Sequence, residues 1–237
     1  MFVHGDVFGA EATWATQRPL ADTYRLLLMN RRGFGSSPDV EGEDFEVDAT
    51  DVVEVLGDGA HLVGHSYGGV VALLAAARHP ETVRSLAVFE PPAFALVAER
   101  ADVQSFIAEV KAILADGPSP QDFLPRFIRA VGGDPSRLPS PLPPPFVKAA
   151  AVQQHGRWPW EAEIPVEDLS LSGFPKLVVS GAHSPIFDAV CDVLEARLPA
   201  RREVLPGAGH SIPTLGDPVN VMLSEFWHAA DTSHPSV

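Results

Sequence analysis

Gly64-His65-Ser66-Tyr67-Gly68 lies between an apolar run, Ala60 to Val63, and a helix-patterned run, Gly69 to Arg78. A serine at so sharp a strand-to-helix turn takes strained backbone angles, and its hydroxyl is thrust out above the sheet. The flanking glycines are needed because strand and helix close on each other there, leaving little room for a Cβ. On its own G-x-S-x-G is a common glycine-rich turn. With a strand before it and a helix after it, the pentapeptide is evidence for a nucleophile.

Other apolar runs recur along the chain with helical patterns between them. Candidate strands are Met1–Val3, Tyr24–Met29, Ala60–Val63, Val83–Phe89, Lys176–Ser180 and Arg202–Leu205. Between them Ala49, Val52, Val53 and Leu56 keep helical spacing, as do Val70, Leu73, Leu74 and Ala77. Val190, Val193 and Leu194, then Val221, Met222 and Phe226, mark two later helices. The expected fold class is α/β, a mostly parallel sheet with helices on both faces.

Residues 91–172 break this alternation. Val103, Phe106, Val110 and Ile113 trace one amphipathic helix, and Phe123, Phe127, Ile128 and Val131 another. The prolines from Pro135 to Pro145 prevent regular structure, and a short helix follows from Phe146. No strand-like run occurs, so the segment reads as a helical insertion between halves of a sheet domain spanning 1–90 and 173–237. The tail from Asp231 to Val237 is polar and expected to fray.

Bulk composition excludes several function classes. A net charge of −14 argues against nucleic acid, which needs a clustered positive surface, and Arg31-Arg32 is too small a cluster. No apolar stretch approaches the roughly 20 residues of a membrane span. The start of the chain lacks the basic and apolar regions of a secretory signal. A single cysteine, Cys191, forms no intrachain disulfide, and the cytoplasm is the expected compartment.

A serine needs a base within hydrogen-bond reach. Of the nine histidines, His210 is best placed, in Gly207-Ala208-Gly209-His210 directly after the last strand. His183 is a weaker competitor on the loop after Lys176–Ser180. His65 adjoins the serine, but a tight turn points neighbouring side chains apart, and His61 reads as a packed histidine. A carboxylate must then hold the imidazole. Glu90 ends the strand Val83–Phe89, where parallel sheets build their sites, and Pro91-Pro92 stops the strand. Its rival Asp188 falls about one turn into a helix whose start is marked by Ser184-Pro185. Glu90 is preferred and Asp188 stays open. Backbone N–H groups of Asp6, after His4-Gly5, and of Tyr67 would serve as oxyanion donors.

These pieces resemble the α/β-hydrolase superfamily, in the branch with a helical cap inserted after the sixth family strand. The resemblance rests on His4-Gly5 with Trp14 downstream, Asn30-Arg31-Arg32-Gly33-Phe34-Gly35-Ser36-Ser37, the Ser66 pentapeptide, Phe89-Glu90-Pro91-Pro92, Lys176–Gly181 and Gly207-Ala208-Gly209-His210. It covers nearly the whole chain and keeps the family's order of nucleophile, acid and histidine. It gives Arg32 and Ser36 structural roles in their turn. Two departures stand out. Ser184 takes the place where the family usually carries its acid, although some members carry it where Glu90 falls. The chain also begins where the family's third strand is expected, so an edge hairpin of the first two strands is expected to be missing, truncated or mis-started. That leaves a sheet edge open to homodimer formation or to lowered stability.

The resemblance implies a serine hydrolase cleaving a small or medium apolar ester or lactone through an acyl-enzyme, with no cofactor and no metal. Phe89, Phe94, Trp158, Trp160, Ile186 and Ile212 are the expected pocket walls. The alternative is a small-molecule receptor on the same fold with slow or no turnover, since some relatives serve as receptors.

Overall fold

The strand leading to Ser66 is longer than its apolar run, because Gly64 and His65 continue the ladder. A computed structural model of the chain describes residues 1–233. Its strands are β1 (Phe2–Val3), β2 (Leu28–Met29), β3 (Ala60–His65), β4 (Val83–Phe89), β5 (Lys176–Ser180) and β6 (Arg201–Val204). All neighbours pair in parallel, in the order β2-β1-β3-β4-β5-β6. The helices are α1 (Ala10–Thr13), α2 (Phe45–Leu56), α3 (Tyr67–Arg78), α4 (Ala101–Ala115), α5 (Pro120–Ala130), α6 (Pro144–His155), α7 (Val166–Leu171), α8 (Pro185–Arg197) and α9 (Asp217–Ser233).

Side-chain alternation along each strand divides the core in two. Leu62, Leu86, Val88 and Val178 face a large cluster shared with α2, α3, α8 and the helices of residues 91–172. Val63, Ala87, Phe89, Leu177 and Val179 face a smaller one under α9, where Phe226 and Trp227 pack with Trp14 and Phe2. Burial on both faces explains why the strand sequences read as continuous apolar runs.

The chain turns from β1 outward to β2 and then back across to β3, so strand order reverses between β1 and β3. In open parallel sheets the crevice at the carboxyl ends of such a pair is where sites form. The two segments leaving those ends are His4-Gly5-Asp6 and Ser66-Tyr67.

Between β4 and β5 the described chain contains no strand. The helix expected from Phe146 starts two residues earlier, at Pro144, because proline suits the first turn, where its missing N–H has no partner to lose. Tyr24–Leu27 is not strand, and only Leu28–Met29 pairs with β1. Tyr24 packs instead on Trp227, 4.9 Å between rings. Outside β2 no further strand occurs among the described residues. The expected fraying from Asp231 is corrected, since α9 carries helix through Ser233; the rest of that tail lies outside the described residues. No described helix is long and apolar enough to cross a membrane.

The close approach of β3 and α3 gives a direct test. A methyl group on Gly64 would overlap the Gly68 carbonyl, and backbone cannot rotate away as a side chain can. Gly64→Ala is expected to destabilise the fold by on the order of 3 kcal/mol. Gly173→Ala, where nothing lies within 4 Å of the added carbon, should change it little. Urea midpoints of the two variants check the contrast.

Candidate active site

Ser66 sits at φ 54, ψ −128 between β3 and α3, a backbone strain that a residue with a Cβ tolerates only where the surroundings hold it. Ser66 N–H donates to the Phe89 carbonyl at 2.9 Å, which pins the turn to the end of β4. The next residue along β4, Glu90, also has positive φ, 44°. The strain turns its carboxylate from the strand direction toward the loop after β6.

His210 arrives on that loop. Its Nε2 lies 2.9 Å from Ser66 Oγ and its Nδ1 2.7 Å from Glu90 Oε2. The carboxylate accepts, so Nδ1 carries the proton and Nε2 presents a lone pair to the serine hydroxyl. Glu90 is fully buried, and His210 is 19% exposed at the floor of a cavity. Burial alone pushes a carboxylic acid up. Hydrogen bonds from His183, His210 and the Gly181 N–H overcome it and hold Glu90 down at about 2. The charge at Glu90 therefore adds stability above the ordinary carboxylate range, and that stability is lost as pH falls toward 2.

Of the two candidate acids, the structure brings only Glu90 to His210. Asp188 lies in the first turn of α8, which starts at Pro185 as the Ser184-Pro185 signal indicates, and pairs with Arg202 at 3.5 Å. Ser184 makes no side-chain cap bond there. His183 is not near the serine in bonding terms; its Nδ1 lies 3.2 Å from the other Glu90 oxygen. His65 does point away from Ser66, and its Nε2 is 2.7 Å from the His210 carbonyl. Burial lowers His65 to about 3, so the ring is neutral and donates to that carbonyl. It thereby steadies the backbone of the histidine loop, a role with no signal in the sequence.

The expected donors converge from the other side. A Cβ on Gly5 would stand 3.0 Å from Ser66 Cβ, so the backbone leaving β1 runs against the nucleophile. Tyr67 is the first residue of α3, where a helix leaves its N–H groups without internal partners. The structure thus places Gly5 against Ser66 and Tyr67 at the start of α3.

What holds that loop is Arg31, fully buried. Its Nε donates to the His4 carbonyl at 3.2 Å and Nη2 to the Gly5 carbonyl and Asp6 Oδ1, both at 3.0 Å. Nη1 donates to Glu43 at 3.0 Å and Asp48 at 2.8 Å. Every N–H of the guanidinium is engaged. Its plane lies 4.2 Å from the Tyr67 ring. His4 completes the layer: the Arg31 N–H donates to its Nε2 at 3.1 Å, so Nδ1 donates to Gly5 at 2.7 Å. Burial pushes Asp6, Glu43 and Asp48 above the ordinary range, and the Arg31 cation works against it. The expected structural roles of Arg32 and Ser36 are corrected here. Arg32 makes an exposed pair with Asp51, and it is Ser37 whose hydroxyl donates to the Asn30 carbonyl at 2.7 Å.

A cavity of about 240 Å³ opens over Ser66 and His210. Phe94, Trp158 and Trp160 line it as expected, the two indoles stacked 4.7 Å apart. Phe89, Ile186 and Ile212 do not. Phe89 and Ile212 belong to the opposite face of the sheet, under α9, because a side chain at the end of β4 takes whichever face its register dictates. Ile186 turns into the larger core beside α8. Phe8, Phe106, Phe127, Val131 and Phe187 are walls that the sequence reading did not assign. Phe106, Phe127 and Val131 stood out only as apolar helix positions, which do not reveal which part of a helix meets a cavity. The carboxylate and two imidazoles of Glu90, His183 and His210 lie close enough to hold a metal ion. These groups are hydrogen-bonded to one another, so an ion there would have to displace the bonds at 2.7 and 3.2 Å.

Comparison with known proteins shows the family and the fold. A family model described as the alpha/beta hydrolase family matches residues 1–222. A pimeloyl-[acyl-carrier protein] methyl ester esterase of Aeromonas salmonicida is 36% identical over 88 residues, 36% of this chain and 35% of that protein. A probable lysophospholipase of Arabidopsis thaliana is 34% identical over 104 residues, 40% of this chain and 25% of that protein. The alignments thus span about a third or less of these relatives' lengths. Among solved structures, an alpha/beta hydrolase from Sphaerobacter thermophilus superposes with TM-score 0.70 at 25% identity, over 95% of this chain and 91% of the other.

The Arg31 cluster yields a stability test. Arg31→Met leaves three carboxyl groups buried without their cation and is expected to cost about 3–5 kcal/mol. Carboxyls raised by burial bind protons more tightly folded than unfolded, so the deficit should grow as pH rises from 4 to 7 and shrink on acidification. Denaturant titrations of both proteins across that range measure it.

Proposed function

The chain belongs to the alpha/beta hydrolase family, and from that premise and the site geometry we propose that it is a serine hydrolase of small or medium neutral, apolar esters or lactones. The observation that carries the reading is the unbroken line from Glu90 Oε2 through His210 to Ser66 Oγ, at 2.7 and 2.9 Å. Relatives named as esterase and lysophospholipase support the ester class.

In the proposed reaction His210 Nε2 takes the Ser66 proton as Oγ attacks the ester carbonyl. The tetrahedral oxyanion is met by the N–H groups of Asp6 and Tyr67. Collapse breaks the bond to the leaving alcohol, which takes the proton from His210, and an acyl-serine remains. Water then gives a proton to His210 and attacks the acyl carbon, and the carboxylic acid leaves as Ser66 recovers its proton. Throughout, Glu90 stays ionised and stabilises the imidazolium. We read residues 91–172 as the cap over this site, since Phe106 of α4, Phe127 of α5, and Trp158 and Trp160 between α6 and α7 all come from that segment.

The walls also speak to the substrate. Among the described residues no lysine or arginine lines the cavity, and the one acidic wall is Asp6. An anionic acyl chain would find no counter-charge, whereas an apolar one finds stacked indoles and phenyl rings.

Three outcomes are expected. Ser66→Ala should lose on the order of a thousandfold or more in turnover of p-nitrophenyl butyrate. Glu90→Gln should be crippled comparably while Asp188→Asn stays near wild type; the reverse pattern would move the acid to α8. Across p-nitrophenyl esters, each added methylene should raise kcat/KM by up to about fourfold until the cavity fills, from about 0.8 kcal/mol per buried methylene. A single burst with no steady rate would favour the receptor reading instead.

A further inference from the structure

Glu90 has two oxygens and only one is used by His210. The other, Oε1, accepts from the Gly181 N–H at 2.7 Å and from His183 Nδ1 at 3.2 Å. One buried carboxylate is therefore shared by two imidazoles whose rings lie 5.8 Å apart. The residue before His183, Ala182, is held at φ 51, the third strained non-glycine backbone at this crevice after Ser66 and Glu90.

The rest of His183 reaches outward. Its ring stacks on Phe187 at 5.7 Å, and Phe187 lies 4.6 Å from the His210 ring and forms a wall of the cavity. On the far side the ring meets the end of α5: a Cβ on Gly132 would touch Cδ2 at 3.4 Å. The buried Nε2 makes no hydrogen bond, and the Val131 carbonyl beside it favours a proton there. Val131 is itself a cavity wall.

We propose that His183 is a positioning residue for the hydrolytic site: it fixes the free oxygen of Glu90 and ties the acid to the end of α5, so that acid, base and pocket wall are held as one unit. This rests on the hydrolase reading above. The ionisable groups around it are Glu90 after β4, Asp188 on α8 and His210 after β6; from α5 the contact is backbone alone. The Glu90 hydrogen bond raises His183 above the ordinary histidine value, and the Glu90 and Asp188 charges act in the same direction. The ring therefore stays cationic to higher pH than a free histidine. A cation on Oε1 also offsets part of the negative charge felt across the carboxylate at His210.

Two measurements test this. In side-chain NMR of the whole protein, the His183 ring should titrate above the other buried histidines, and Glu90→Gln should lower its midpoint by about one pH unit. That readout needs no turnover. In pH–rate profiles for p-nitrophenyl butyrate, His183→Asn keeps a donor toward Oε1 but no charge. Its kcat should stay within about threefold while the acid limb of kcat/KM moves up by about half a pH unit. His183→Phe keeps the stacking on Phe187 but no donor, and should show the same limb shift plus a roughly tenfold loss of kcat, the scale of one hydrogen bond to a charged group. A His183 midpoint indifferent to Glu90→Gln, or variants with wild-type limb and kcat, would overturn the proposal. Should the wild-type protein show no Ser66-dependent turnover, the hydrolase reading fails and the NMR titration alone still decides whether His183 and Glu90 are coupled.

Discussion

A strand and a helix packed closer than a methyl group allows set the position of everything else at this crevice. Gly64 lets β3 meet α3, Gly68 lets α3 meet the end of β1, and the residue between them is held at φ 54. Ser66 could not be presented this way on a relaxed turn. Its N–H is spent on the Phe89 carbonyl, so the same bond that steadies the serine also fixes the end of β4. Glu90, one residue on, therefore stands at a set distance from the nucleophile before any histidine arrives. The long-range partner, His210, has only to bridge a gap whose two sides are already placed.

The electrostatics are arranged in two layers that meet at Asp6. Around Ser66 the charge is carried by Glu90, held down at about 2 by donors on both of its oxygens. Behind the loop leaving β1, a second layer centres on Arg31 and the carboxylates of Asp6, Glu43 and Asp48. A buried cation facing three buried acids is a poor source of stability, because desolvation opposes every member. What it supplies is placement. The guanidinium has donors directed at the His4 and Gly5 carbonyls, which aligns the backbone that would meet an oxyanion. Asp6 belongs to both layers by position: its backbone faces Ser66 while its carboxylate faces Arg31.

Much of this was legible in the sequence, and the parts that were not share a cause. The strands β4 and β5 coincide with their apolar runs because both faces are buried and every residue is selected for it. Ser66, Glu90 and His210 could be assigned because each sits at a strand end beside glycine or proline, where a break in pattern is visible. Pocket walls had no such marker. Phe89 and Phe94 are both apolar and near the same loop, yet the register of β4 turns Phe89 toward α9 while Phe94, past the end of the strand, faces the cavity. Arg31 and Arg32 are adjacent and chemically alike. That one is fully buried and the other paired with Asp51 at the surface depends on which side of the turn each occupies, a three-dimensional fact. His65 was passed over and His183 ranked below His210 as base, and their hydrogen bonds to the His210 loop and to Glu90 are tertiary and leave no periodic trace.

In the proposed reaction one oxygen, strained into the crevice and relieved of its proton by His210, does the chemistry. Reaction with a fluorophosphonate followed by peptide mapping tests this most directly. The account predicts a single modification, on Ser66, whose rate collapses when His210 is replaced by glutamine. Modification at another residue, or on Ser66 at an unchanged rate in that variant, would contradict it.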